Sequence, residues 1–419
     1  MAPPLTRTFA DPRFRRLIWL LVGALGWVGL VALGGALLAK EPPQAGFDLA
    51  LILDAGRRVS AGASPYLAGA VGAGTQVESL FYSYPPAIAQ AASLLAGFSN
   101  GVVLAAAGVG AVAGFALVVR SLAAGTPARS TWDIVDVVLP ALALAPFIYP
   151  FAIALLFGNV DAWFPFAYGA LLLAVVGGSR GWRVVGGIAL GLAALAKLYP
   201  GLLLGWLAIR GLLRWIRDGR TAVPGDWQTL AIAAATDLAV VGLSIVARGL
   251  GPWRDYIGVL RAGAGADFVS TLNVGPASQL ALVLGDPSMA GRVAPVVAVG
   301  AILVTAAVAW RVRSAASSLA AASIASLVLS PITWFHYPVA LLPFAAWAWV
   351  AVRQGNGRTA VAALLAGALV LAGAAIAAPV LVWLAVAVVL VAVLRASALA
   401  SVTPARPSSD LSGGFAQGS

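Results

Sequence analysis

The chain has 419 residues, of which 61% are hydrophobic and 10% are charged, and its mean hydropathy is +0.96. A soluble protein of this size would have about a quarter of its residues charged, so the composition excludes a soluble enzyme or binding domain. Repeated apolar runs near the ~20 residues needed to cross a bilayer predict an all-α polytopic membrane protein. The runs are continuous and lack the apolar/polar alternation of an outer-membrane barrel, which excludes that fold.

The charged residues and the rare side chains narrow the class further. The 26 Lys and Arg residues outnumber the 15 Asp and Glu residues. Cytoplasmic loops of membrane proteins are basic, so this excess needs no nucleic-acid partner. The chain contains no cysteine, which rules out disulfides and thiolate metal sites. With a single histidine, a zinc site is not expected either.

The N-terminal part predicts a short tail, one membrane span and a polar loop. Residues 1–16 contain four arginines, which should hold this basic tail in the cytoplasm. The first span is predicted over residues 17–39. Residues 40–86 then form a charged segment that lipid cannot accommodate, so we expect an external loop. Within it, FDLALILDAGRRVSAG is predicted to form a short interfacial helix that ends at Gly62.

The apolar segment from Ala87 to Phe98 decides the topology of the remainder. If it crossed the membrane, Arg120 and Arg129 would lie outside and every later basic cluster would be inverted. We therefore expect this segment to dip into the membrane without crossing it. The later apolar runs, among them a single outward span from Ile134 to Phe157, bring the total to about twelve spans.

This topology predicts one transmembrane domain over residues 17–397, with both termini in the cytoplasm. A second external loop is expected at residues 248–292. The Pro/Ser/Gly-rich residues 398–419 are predicted to form a disordered cytoplasmic tail.

The same topology gathers the unusual polar residues near the outer membrane surface, which predicts one external site. These residues are Asp48, Asn159, Asp161, Lys197, Asn273, Gln279 and His336. A carboxylate such as Asp48 above a membrane cavity is suited to take a proton from a hydroxyl nucleophile. Simpler interpretations stay open: a solvated charge for Asp48 and for Asp54, and a snorkelling side chain for Lys197. The Asn159 turn can be a plain hairpin, and the aromatic residues around His336 can belong to an interfacial belt.

Five segments in order resemble the motifs of a bacterial family of polyprenyl-phosphate-sugar-dependent glycosyltransferases. The segments are FDLALILDAGRRVSAGASPY, FYSYPP, GNVDAWF, GLAALAKLYPGLLL and SPITWFHYPVALLP. The family includes the phosphatidylinositol-mannoside mannosyltransferases and related arabinofuranosyltransferases. The resemblance runs from about Asp48 to Pro343. It implies the C-type glycosyltransferase (GT-C) fold, an inverting reaction and a lipid-linked sugar donor that is approached from the bilayer.

The resemblance also implies roles for individual residues. Asp48 takes the position of the catalytic aspartate, which deprotonates the acceptor hydroxyl as polyprenyl phosphate leaves. Lys197 and His336 match positions engaged with the donor phosphate, where negative charge grows as the bond breaks. Phosphate is already a good leaving group, so neither a metal nor another cofactor is expected. Further candidate substrate-binding residues are Tyr66, Tyr82, Tyr84, Asn159, Asp161, Asn273, Gln279 and Trp334.

The function implied by the resemblance is that of an α-mannosyltransferase on the external face of a bacterial inner membrane. It would move mannose from polyprenyl phosphate to a glycolipid or glycan hydroxyl. The chain departs from the family pattern at LNVGPASQL, at GNVD and at Thr333. An arabinofuranosyl or other pentosyl transferase of the same fold is one alternative. A lipid-linked sugar transporter is the other, although such a protein should show inverted repeats, and none is evident.

Overall fold

The described part of the chain consists of α-helices joined by turns and short 3₁₀ segments. The computed structural model describes residues 11–67, 82–125, 131–217, 225–264, 269–352, 368 and 379–402. The α-helices are α1 (Pro12–Leu38), α2 (Phe47–Ser60), α3 (Pro86–Ser93), α4 (Asn100–Ala124), α5 (Thr131–Leu144), α6 (Tyr149–Phe157), α7 (Phe164–Val176), α8 (Arg180–Ala196), α9 (Leu202–Arg217), α10 (Gly225–Arg248), α11 (Gly251–Ala264), α12 (Pro276–Leu284), α13 (Ser288–Arg311), α14 (Ala315–Leu327), α15 (Leu342–Val352) and α16 (Pro379–Val402). The predicted all-α fold is confirmed.

Several of these helices are long and apolar enough to cross a membrane. Within the described ranges they are α1, α4, α10, α13 and α16, and the bent pair α5 and α6 would make a sixth. The chain is therefore a polytopic membrane protein, as its composition predicts. The total of about twelve spans stays a prediction.

The outward span expected from Ile134 to Phe157 is broken in the structure. Helices α5 and α6 meet at 68° across a 3₁₀ turn at Ala145–Phe147. Prolines cause the break, because Pro146 has no N–H to donate to the carbonyl of Leu142 in the preceding turn. Trp27 replaces that donor, since its Nε1 donates to the Leu142 carbonyl at 3.0 Å. The predicted span thus consists of two helices, and its crossing of the membrane as one bent span stays a prediction.

The two ends of the chain also differ from the predicted tails. Helix α1 begins at Pro12 because the Asp11 carboxylate caps it, accepting from the backbone N–H of Arg13 at 2.8 Å. At the other end, α16 continues to Val402, beyond the predicted start of the disordered tail at residue 398. Residues 1–10 and 403–419 lie outside the described residues.

The short helix α2 forms where the interfacial helix is predicted. It begins after Gly46, whose φ of +69° suits glycine, and its C-cap is Ala61. One face packs against α3, and Gly56 permits the close approach, since a Cβ at this position would lie 2.7 Å from the Ala92 carbonyl carbon. Helix α3 has eight residues, about 12 Å, which is too short to cross a bilayer. This agrees with the expectation that its segment only dips into the membrane.

Helix α7 lies at the centre of the fold and is buried along almost its whole length. It packs on α8, which in turn packs closely on α10 through two glycines. A Cβ at Gly187 would lie 2.8 Å from Ile232, and one at Gly191 would lie 2.7 Å from the Ala233 carbonyl oxygen. Small residues allow such close helix packing within a membrane. This packing fixes the end of α8, and with it Lys197.

Candidate functional site

Asp48 lies in the first turn of α2 and is held against the turn between α6 and α7. Asn159 Nδ2 donates to Asp48 Oδ2 at 2.7 Å, and the backbone N–H of Gly46 donates to the Leu156 carbonyl at 2.7 Å. The side chain is half-buried. Among the described residues only Oδ2 of this carboxylate is hydrogen-bonded, which leaves Oδ1 open to a substrate hydroxyl.

Asn159 links Asp48 to Asp161. While its amide nitrogen donates to Asp48, its Oδ1 accepts from the backbone N–H of Asp161 at 2.9 Å. This contact caps the 3₁₀ turn Val160–Trp163. The amide is therefore both a turn former, as the simple hairpin interpretation requires, and a direct neighbour of Asp48.

Asp161 is the centre of a buried group of ionisable side chains. Lys197 Nζ lies 2.8 Å from Asp161 Oδ2, and His336 Nε2 lies 3.2 Å from the same oxygen, outside hydrogen-bond geometry. The hydroxyl of Tyr199 donates to Asp161 Oδ1 at 3.4 Å. Burial would raise the pKa of the Asp161 carboxyl, but Lys197 and His336 lower this pKa below its ordinary value. Asp161, in the turn before α7, is therefore ionised and paired.

Two tyrosines that the sequence did not suggest complete this group. Lys197 Nζ lies 4.2 Å from the centre of the Tyr337 ring, and the rings of Tyr199 and Tyr337 stack at 4.9 Å. A cation over a tyrosine face is stabilised by the ring quadrupole. The signal in the sequence was adjacency: Tyr337 follows His336 directly, and Tyr199 is two residues after Lys197.

Tyr84 offers a free hydroxyl beside these charges. Burial raises the pKa of Tyr84 well above its ordinary value; Lys197 opposes this shift, and Asp48 and Asp161 reinforce it. The phenol therefore keeps its proton at neutral pH. Its hydroxyl makes no hydrogen bond to the described residues, so it is available as a donor to a ligand.

Tyr66 and Tyr82 position Tyr84 from behind. The Tyr66 hydroxyl donates to the Tyr84 carbonyl at 2.8 Å. The Tyr82 hydroxyl donates to the Pro85 carbonyl at 2.6 Å and accepts from the Ala89 N–H at 2.9 Å. Both rings are buried, at 4% and 3% exposed. Their predicted substrate contacts stay a prediction, whereas their contacts to the FYSYPP backbone are plain in the structure.

The second predicted external loop packs on the first. Ser64 Oγ donates to Asp255 Oδ2 at 2.9 Å, and the rings of Tyr66 and Tyr256 stack at 6.2 Å. Burial raises the pKa of Tyr256 to about 12. Helix α11 thus packs on the turn at Ser64–Tyr66, which follows α2, the helix that carries Asp48.

The other candidate residues lie where this second loop meets the segment of His336. Asn273 pairs with Trp334 in an isolated antiparallel bridge, and Gln279 Nε2 donates to the Asn273 carbonyl at 2.6 Å. Asn273 is 1% exposed. The structure thus gives Asn273 and Gln279 internal hydrogen bonds, and their contact with substrate stays a prediction.

Asp54 does not join the site. It is exposed and pairs with Arg57 one helical turn further along α2. No group of three or more His, Asp or Glu side chains suited to a metal ion occurs within the described ranges.

An apolar cavity of about 300 Å³ adjoins the site within the helical layer. Its wall includes Pro338 and Val339, which directly follow the His336–Tyr337 pair, and extends to Trp19 and Trp349. Every residue of the wall is apolar or a tryptophan. Such a cavity stays dry and fits hydrocarbon.

The fold and the site together define a membrane-embedded protein with a carboxylate, a lysine and a histidine beside an apolar cavity. The model of glycosyltransferase family 87 matches residues 82–333, which is more than half of the chain. The chain belongs to this family, a glycosyltransferase family of the GT-C type. No curated protein matches the chain. Asp48, Tyr66, Trp334, His336 and Tyr337 lie outside the matched range. Contacts with Asn159 and Asp161 bring Asp48 and His336 into the site.

Proposed function

We propose that this glycosyltransferase moves mannose from a polyprenyl-phosphate donor to a hydroxyl of a glycolipid or glycan acceptor on the outer face of the membrane. The observation that carries the proposal is the placing of a half-buried carboxylate, Asp48, beside the Lys197–Asp161–His336 group. Asp48 can accept a proton, and the Lys197–Asp161–His336 group can bind an anionic leaving group.

The bond changes assign a role to Asp48. The acceptor O–H proton passes to the Asp48 carboxylate as the acceptor oxygen forms a bond to the anomeric carbon. The bond between that carbon and the phosphate oxygen breaks, and its electron pair remains on the phosphate. Attack opposite the leaving group inverts the anomeric configuration. Asn159 positions the base through its 2.7 Å hydrogen bond.

The leaving phosphate gains charge during this step, and Lys197 and His336 are the groups that would stabilise it. Lys197 has three N–H donors, of which Asp161 takes one at 2.8 Å, leaving two for an anionic oxygen. Both ring nitrogens of His336 lack a hydrogen-bond partner within the described residues. Asp161 acts as a positioning residue, because it holds the ammonium in place without contacting the donor.

The lipid part of the donor fits the apolar cavity. A prenyl chain is pure hydrocarbon, and the wall of the cavity of about 300 Å³ includes Pro338, two residues after His336. A phosphate at His336 would therefore lie close to the wall of the cavity that holds the chain. The chain enters from the bilayer and not from water, so van der Waals packing against the cavity wall holds it there.

The test is a donor panel with purified protein in lipid nanodiscs. Polyprenyl-phosphate mannose, the arabinofuranose analogue and the glucose analogue are each incubated with a membrane glycolipid extract, with and without EDTA. We expect mannose transfer, seen as a mass increase of one hexose in the acceptor fraction, and unchanged rates in EDTA. The Asp48→Asn variant is the blank. Consumption of the arabinofuranose donor alone would show that the transferred sugar is a pentose and not mannose. Consumption of none of the three donors would refute the proposal.

A further inference from the structure

The segment that carries His336 is held by the predicted second external loop. Residues 272–275 run antiparallel to residues 331–335, with hydrogen bonds in both directions. The Val274 N–H donates to the Thr333 carbonyl at 2.8 Å, and the Phe335 N–H donates to the Leu272 carbonyl at 3.3 Å. The Val274 carbonyl in turn accepts from Trp383 Nε1 of α16 at 2.7 Å.

The side chain of Asn273 makes the central contacts of this pairing. Its Oδ1 accepts from the backbone N–H groups of Thr333 at 2.9 Å and Gly275 at 3.0 Å. Its Nδ2 donates to the Pro331 carbonyl at 3.2 Å. One buried amide therefore holds the two paired segments together. Its contact with Thr333 lies three residues before His336.

The surroundings of Asn273 leave it little freedom. A Cβ on residue 275 would lie 3.0 Å from Asn273 Oδ1 and 3.2 Å from Thr333 Oγ1, so any larger residue there would crowd both groups. Gln279 Nε2 holds the Asn273 carbonyl at 2.6 Å. These contacts fix the backbone on which the amide side chain is mounted.

We propose that Asn273 is a positioning residue that sets the place of His336 against Asp161 and the donor phosphate. It acts through the backbone from Pro331 to Phe335. This role rests on the proposed function in so far as His336 contacts the donor. A shift of this backbone moves the imidazole directly, since His336 is the next residue and its ring is enclosed at 4% exposed.

The contacts require an amide and no other polar group of similar size. Asn273 accepts through one atom and donates through the other, and an ionised carboxylate can only accept. In Asn273→Asp an oxygen would face the Pro331 carbonyl oxygen where the amide donates, so the two would repel. When the introduced carboxyl is protonated it regains a donor, so the defect should shrink as the pH falls.

The single histidine makes this testable without any substrate. Full-length protein labelled with histidine carrying ¹³C at Cε1 only, purified without a histidine tag, gives one imidazole cross-peak, that of His336. We expect Asn273→Asp to shift this cross-peak at pH 8 relative to the unsubstituted protein, with a smaller difference at pH 5. The matched control is Asn100→Asp, whose side chain is half-buried and accepts from Arg57 outside the site; its spectrum should be unchanged.

The kinetic arm separates the two proposals. Asn273→Asp should raise the KM for the lipid-linked donor about 10-fold, the effect of one lost hydrogen bond, while Asn100→Asp leaves it unchanged. If Asn273→Asp folds poorly, Gln279→Ala replaces it, since this variant loosens the Asn273 backbone. An unchanged cross-peak and an unchanged KM in a folded variant would overturn the positioning role. A shifted cross-peak in a protein that consumes no lipid-linked sugar would support the positioning of His336 and refute the proposed function.

Discussion

Lys197 and Asp161 form an ion pair at 2.8 Å, with side chains that are 11% and 0% exposed. A pair this deeply buried is costly to break, because removal of one partner leaves an uncompensated charge. Lys197 therefore does not snorkel to solvent, as one simple interpretation of its sequence position allowed. Its ammonium group is fixed by Asp161, in the 3₁₀ turn that precedes α7.

The first prediction concerns this pair. Lys197→Met should lower the free energy of unfolding by about 3–5 kcal/mol, because Asp161 is left charged and unpaired. The double variant Lys197→Met/Asp161→Asn should recover most of that loss, since no buried charge remains. Thermal unfolding of the purified proteins in the same detergent measures both.

Sugar transfer should behave differently from stability in these variants. The double variant should stay inactive, because no ammonium is left to bind the donor phosphate. Arg214→Gln is a suitable control, since it removes the partner of another buried carboxylate, Asp226 at 1% exposed, on helices α9 and α10, which carry none of the site residues. Full activity in the double variant would show that Lys197 serves only the fold.

The second prediction concerns the proposed base. Asp48→Asn keeps the shape of the side chain and its contact with Asn159 but cannot accept a proton. Sugar transfer should fall about 10²–10⁴-fold, the usual contribution of a general base, with no change in thermal unfolding. Asp54→Asn, on the same helix and exposed, should transfer sugar at the original rate. Similar rates for the two variants would remove Asp48 from the mechanism.

Much of the site follows from sequence because charge determines topology. Placing the arginines in the cytoplasm put Asp48, Asn159, Lys197 and His336 on one side of the membrane, and the structure brings these residues together. The interfacial helix was predicted from its apolar positions and forms as Phe47–Ser60. Both inferences use patterns that are local in the chain.

What the sequence did not reveal depends on contacts between distant segments. Asp161 and Lys197 are 36 residues apart in the chain, and no periodicity relates them. The sequence therefore did not reveal that Asp161 is the counterion of Lys197. Asn273 was expected to bind substrate, but its side chain bonds to backbone 58 and 60 residues away. The kink between α5 and α6 depends on a partner for the Leu142 carbonyl, which Trp27 supplies from another helix.

The third prediction tests the topology. The chain has no cysteine, so single cysteines are clean probes. Ala61→Cys, just after α2, should react with a membrane-impermeant maleimide on intact cells. Ala124→Cys, at the end of α4, should react only after the cells are opened. Both positions are exposed in the structure, so burial cannot explain a difference. The opposite pattern would place the site in the cytoplasm.

The fourth prediction concerns the close contact between Gly158, next to Asn159, and Leu49 of α2. Gly158 has a φ of +64°, and a Cβ there would lie 2.7 Å from the Leu49 Cβ, next to Asp48. Gly158→Ala should therefore displace α2, with an overpacking cost of about 1–3 kcal/mol and a fall in sugar transfer. Thermal unfolding and the donor assay measure the two effects.

Gly178 supplies the matched control for this substitution. It has the same φ of +64°, but a Cβ there meets nothing within 4 Å. Gly178→Ala therefore carries the backbone strain alone, about 1–2 kcal/mol, far from the site. The excess loss of activity in Gly158→Ala isolates the displacement of Asp48 from Asn159. Equal activity in the two variants would mean that the base tolerates movement of its helix, and that the 2.7 Å contact with Asn159 does not set its position.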